Sequence, residues 1–218
     1  MKNLKTKIAI LTISFISFLG IQSASALEGL SIGVAMNYSG FYGVGKETST
    51  SSGDGVKKVT EEAGAFDTTV GSVFVEYAVN DAVSVGIDRV MEDMETPRNT
   101  NVQDTLTNTV QATFKDHTSI YANINMPYNT YFKVGYLMVD VATNENLATG
   151  GSYPDVDTTG LTVGLGYNHT VDNGVFVRAE ISASEYDDVT ATNANNEQTV
   201  DVSDMIGASA SIKIGKSF

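Results

Sequence analysis

The 218-residue chain has no cysteine and no tryptophan, and only three prolines and two histidines. The missing thiols exclude a disulfide scaffold, a thiol nucleophile and a cysteine-ligated zinc site. Bases are scarce, 13 against 26 acids, which sets nucleic acid aside as a partner. Apolar runs are scarce too: after Ile21 none approaches the roughly 20 residues that a membrane-crossing helix needs. Stability has to come from a sheet.

What is present begins with an export signal. Lys2, Lys5 and Lys7 precede an apolar run from Ile8 to Ile21, followed by the small residues Ser23-Ala24-Ser25-Ala26 that a signal peptidase accepts. Thr12, Ser14 and Ser17 break the run, which suits a cleaved signal better than an anchor. We therefore expect residues 1–26 to be removed and residues 27–218 to form one domain. The signal holds three of the 13 bases and no acids, so ten bases face 26 acids in the remainder, a charge near −16.

That remainder reads at period two, the repeat of an extended strand. The last segment shows it best: Ile206, Ala208, Ala210, Ile212, Ile214 and Phe218 alternate with Gly207, Ser209, Ser211, Lys213, Gly215 and Ser217, with Lys216 breaking the apolar row. Seven further segments alternate likewise. They centre on Leu30–Tyr38, Val73–Val79, Val83–Ile87, Val110–Met126, Phe132–Met138, Leu161–Tyr167 and Val175–Ala183. On the fifth, Leu137, Val139 and Val141 fall on the polar side. Short connections lie near residues 80, 128 and 172, with Asn80-Asp81 suited to the positive backbone angles of a tight hairpin. Long ones, about 44–67, 92–108, 143–158 and 187–199, are rich in Ser, Thr, Asn, Gly and acids and read as surface loop. The expectation is an all-β, eight-stranded antiparallel up-and-down transmembrane barrel. Both termini would be periplasmic and four long loops external.

Alternation alone also fits a soluble barrel with its apolar face inside. Two features favour lipid outside. The polar face is mostly Gly, Ala, Ser, Thr and Asn, which suits a narrow packed lumen rather than a wetted surface. Aromatics on the apolar face sit at strand ends: Tyr77, Phe132, Tyr167 and Phe218 by the short turns, and Tyr38 and Phe114 towards the long loops, as two girdles.

In strand number, topology and terminal Phe218 the chain resembles the small outer-membrane barrels of the OmpA transmembrane-domain and OmpX type, over its whole length after the signal. The resemblance implies that the barrel-assembly machinery reads the last strand through Phe218, and that outer-membrane lipid and lipopolysaccharide surround the barrel. Lys216 departs from the apolar residue usual two places before the end.

Glu76, Asp88, Lys115, Lys133, Arg178, Glu180 and Lys213 share the inward register, and pairing across strands as a lumen plug is the expected outcome, an ion path being the alternative. Glu61, Glu62, Glu92, Asp93, Glu95, Glu185, Asp187 and Asp188 make the long connections acidic without the spacing of a metal loop. Arg89, on the apolar register near the outer rim, could snorkel to anionic headgroups. Gly40 to Lys46 nearly matches a phosphate-binding loop, but Glu47 replaces the hydroxyl residue and no helix follows. His117 faces inward as a structural histidine and His169 faces lipid. No catalytic group, cofactor or metal is called for, and the sequence names no surface partner.

Overall fold

The computed structural model describes residues 28–50, 56–103, 106–148, 151–195 and 198–218. Residues 1–26, expected from the sequence to be an export signal, lie outside these. Eleven strands form one antiparallel sheet: β1 (Leu30–Thr50), β2 (Lys57–Ala78), β3 (Val83–Val90), β4 (Met94–Glu95), β5 (Asn99–Gln103), β6 (Leu106–Met126), β7 (Thr130–Asn146), β8 (Val156–Thr170), β9 (Val175–Tyr186), β10 (Val189–Thr192) and β11 (Thr199–Ser217). The ring runs β1-β2-β3-β6-β7-β8-β9-β11 and closes where β1 pairs β11, from Ser31 opposite Ser217 to Thr48 opposite Thr199. It has eight members: β4 and β5 continue along the β6 edge above β3, and β10 along β11 above β9. Closure leaves no sheet edge in the membrane, where an unpaired backbone would go unsatisfied.

The direction of the two faces is settled by which side chains are covered. Along β11, Ile212 is 52% exposed while Ser211 and Lys213 on either side are 7% and 4% exposed. Val75, Ile87, Ile120, Leu161, Leu165, Val177 and Ile181 are likewise exposed, whereas Ser72, Glu76, Asn123 and Glu180 are buried. A soluble barrel would show the reverse. Greasy residues outside and charges inside are the arrangement of a barrel solvated by hydrocarbon.

Each short turn has a local cause. At Asn80 the side-chain Oδ1 accepts the N–H groups of Ala82 and Val83 (2.8 and 2.9 Å), so the turn is held by a side chain and needs no positive φ at Asn80-Asp81, contrary to the expectation from sequence. The left-handed pair falls instead at Tyr128 and Asn129 (φ 64° and 60°). Gly174 (φ 81°) closes the third turn beside Asn173, whose Oδ1 accepts the Val175 N–H.

The long connections are a second correction. Much of what reads as loop is strand: β1 and β2 pair from Leu30–Tyr77 up to Thr50–Lys57, and β6 pairs β7 up to Thr109–Asn146. A bilayer requires roughly 9–11 residues per tilted strand, whereas β1 has 21 and β2 has 22. The excess stands above the membrane as β-structured hairpins.

Two bulges rotate the upper strands. On β6, Lys115 pairs Asp140 and Thr118 pairs Met138, so Asp116 and His117 together oppose Val139, with Asp116 at φ 52°. One extra residue exchanges the faces above it. Lys115 is therefore exposed and outside the lumen network, and Phe114 is no girdle residue, because it turns inward to stack on Phe41 and Phe66. A similar bulge at Asp204-Met205 shifts β11 against β1.

Candidate functional site: the charged lumen

Three layers of side chains lie inside the barrel. Nearest the short turns, aromatic rings lie over glycines. Phe74 and Phe176 are fully buried with centroids 6.1 Å apart. A Cβ at Gly33 would sit 2.3 Å from Phe74 Cζ, and one at Gly166 would sit 2.1 Å from Tyr131 Cζ. Only a bare backbone permits these rings to pack flat against the wall.

The middle layer consists of two carboxylates and their donors. Glu76 on β2 accepts both Arg178 Nη atoms in a fork (2.8 and 3.0 Å), and also Ser84 Oγ (2.9 Å), Asn123 Nδ2 (2.8 Å) and Tyr121 Oη (3.2 Å). Arg178 on β9 reaches across the lumen to make this bond, lies over the Phe176 ring, and donates its Nε–H to Asn168 Oδ1 (3.1 Å). Glu180 accepts Tyr131 Oη (2.7 Å), Lys213 Nζ (2.9 Å) and Lys133 Nζ (3.2 Å). Lys133 also lies 4.5 Å from the centre of the Tyr121 ring. Fork geometry and ionised partners make these strong hydrogen bonds, and several join strands that are not neighbours in the sheet: Arg178 of β9 and Tyr121 and Asn123 of β6 to Glu76 of β2, and Tyr131 and Lys133 of β7 to Glu180 of β9.

The upper layer is apolar. Phe41, Phe66 and Phe114 stack with centroids 5.1 to 6.3 Å apart, and Phe41 leans on Tyr186. Met94, Leu137, Val139 and Val141 are buried around them. Leu137, Val139 and Val141, which break the alternation in the sequence, face this interior cluster. His117 lies at its lower edge, its Nε2 3.0 Å from Tyr186 Oη.

Of the seven charges placed inside by register, five meet in the two clusters: Glu76, Lys133, Arg178, Glu180 and Lys213. Asp88 faces the same interior, half-buried, outside both clusters. Lys115 is turned away by the bulge. Residues without charge complete the network: Tyr121 and Asn123 share the inward register of β6, and Tyr131 that of Lys133, so their parity was the available signal. On the outside, Tyr77 and Tyr167 are exposed near the short-turn ends of β2 and β8, Tyr38 is exposed in the interior of β1, which continues to Thr50, and Phe132 and Phe218 are half-exposed. Arg89 pairs with Asp116 of the bulge, towards the end of the ring opposite the short turns. The glycine-rich segment from Gly40 to Lys46 runs as uninterrupted strand within β1. Among the described residues no group of three or more His, Asp or Glu could hold a metal.

A search of curated proteins found no match. Among solved structures, OprG from Pseudomonas aeruginosa aligns at 14% identity over 85% of this chain and 97% of its own, with a TM-score of 0.51. The outer membrane protease OmpT from Escherichia coli aligns at 8% identity over 92% and 100%, with a TM-score of 0.50. At such identities the likeness is one of fold. The family model for the outer membrane protein beta-barrel domain matches residues 10–212. With its closed antiparallel ring and outward apolar band, the chain belongs to that family and is a protein of the outer membrane.

Proposed function

We propose that this protein is a closed, non-catalytic barrel that contributes to envelope integrity and displays β-structured hairpins for surface interaction. The observation that carries the reading is the middle layer, where two carboxylates on opposite walls take eight hydrogen bonds and ion pairs between them and draw Arg178, Lys133 and Lys213 into the lumen. An eight-stranded barrel is just wide enough for its own side chains to fill, and here rings fill the space below and above the charges. Cleavage after Ala26, periplasmic termini and recognition of Phe218 by the assembly machinery belong to the same reading. In support, Gly29 and Phe218 join by a backbone hydrogen bond of 3.0 Å at the short-turn end of the ring.

Planar-bilayer recording tests it. The refolded protein is expected to give no stable conductance steps, and Glu180→Ala, which leaves Lys133 and Lys213 unpaired, is expected to introduce transient ones. Steady steps from the unaltered protein, changed in ion selectivity by Lys133→Ala, would establish the pore instead.

A further inference from the structure

Among the described residues, β2 from Lys57 to Val70 is paired only with β1. On its other side, pairing with β3 begins at Ser72–Val90, and the last contact is the Met91 N–H to the Gly71 carbonyl (2.9 Å). At Ala65, Phe66 and Asp67, a depression of about 450 Å³ separates β2 from Glu95–Arg98. Above it, Lys57, Lys58, Val59, Thr60, Glu61 and Glu62 are all exposed, and none of the four charged side chains forms an ion pair with another described residue. Backbone groups of alternate residues point to opposite edges of a strand. Lys57, Val59 and Glu61 thus present their N–H and C=O groups in the same direction as Gly71, towards the vacant side.

Charged residues at a sheet edge ordinarily discourage pairing. Here their order is selective, because Lys-Lys-Val-Thr-Glu-Glu is complementary to itself when reversed. A two-fold axis perpendicular to the sheet keeps each side chain on its own face, so residues that meet must share parity. Two registers satisfy this. Centred on Val59, Lys57 of each copy faces Glu61 of the other; centred on Thr60, Lys58 of each copy faces Glu62 of the other. Directly opposed unlike charges stabilise an antiparallel pair, and like charges destabilise it. Copies side by side in one membrane are related by an axis along the membrane normal, so their β2 strands run the same way and bring lysines level with lysines. The antiparallel arrangement requires an axis in the membrane plane, which places the two copies in membranes that face each other.

We propose that the outer part of β2 is a homotypic docking edge through which copies on two opposed outer membranes pair as antiparallel strands. This rests on the reading that the long hairpins face the cell exterior. Each contact is small, and many contacts between two surfaces supply the avidity.

Charge exchange tests it in intact cells expressing the protein, with brief trypsin treatment of unaltered cells checking that Lys57 and Lys58 are reachable. Unaltered cells are expected to clump and settle. Cells carrying K57E/K58E, and cells carrying E61K/E62K, are expected to stay dispersed. The two variants mixed in different fluorescent colours should clump again in two-colour aggregates, which shows that both are folded. If the hairpin is cleaved yet unaltered cells stay dispersed, or the variants clump as well as unaltered cells, or the mixture fails to clump, pairing is overturned while the orientation stands. If the hairpin is protected on intact cells, the orientation is wrong and the pairing falls with it.

Discussion

Arg178→Ala is expected to cost about 3–5 kcal/mol of folding stability, the range for removing one partner of a buried pair, read by urea unfolding in lipid vesicles. The loss arises from what remains. Glu76 is buried, and without the guanidinium its charge faces only the neutral donors of Ser84, Asn123 and Tyr121. Replacing both partners, Glu76→Gln with Arg178→Met, is expected to recover most of the loss because no charge is then stranded. Lys115→Ala provides the contrast. That side chain is exposed above the β6 bulge, so its loss is expected to stay within about 0.5 kcal/mol, as for ordinary surface changes. Equal losses at Lys115 and Arg178 would contradict the bulge and restore the simple register.

Ile212→Arg is expected to destabilise by about 2–4 kcal/mol, the cost of a guanidinium on the lipid face near the bilayer midplane. Ile212 lies between Met36 of β1 and Ala179 of β9, well away from either end of its strand. Ile206→Arg, opposite Tyr42 and Glu185 towards the long-hairpin end, is expected to cost only about 0–1 kcal/mol, as substitutions near the interface do. The gradient matters more than either value. A residue facing a soluble core would be intolerant at both positions.

The strands inside the membrane were legible because lipid on one side and a polar lumen on the other impose period two, as the row from Ile206 to Ile214 shows. Above the membrane both faces meet water and the period fades. Residues 57–65, exposed on both faces, therefore read as loop although they are strand. The bulge at Asp116-His117 left no trace in composition, since one added residue changes parity without changing residue type, and Lys115 and Phe114 were misplaced together. In the lumen the charges could be found by register but their partners could not. Glu76 and Arg178 lie 102 positions apart on strands that do not touch in the sheet, and only closure brings them together. Rings over glycines were hidden for a different reason. Phe74 and Phe176 stand on the face that small residues otherwise mark as polar, and their fit depends on Gly33 and Gly215, each directly opposite on the neighbouring strand.

The chain has no cysteine, so single cysteines at 212, 214 and 211 can each carry one nitroxide without a background. Collision with oxygen, which concentrates in lipid, is then compared with collision with a water-soluble nickel chelate in vesicles. A hydrocarbon-facing band predicts that labels at Ile212→Cys and Ile214→Cys are relaxed far more by oxygen than by nickel, with little lipid contact at Ser211→Cys. Labels at 212 and 214 that neither reagent reaches, with the label at 211 open to nickel, would contradict it and place those isoleucines in a protein core.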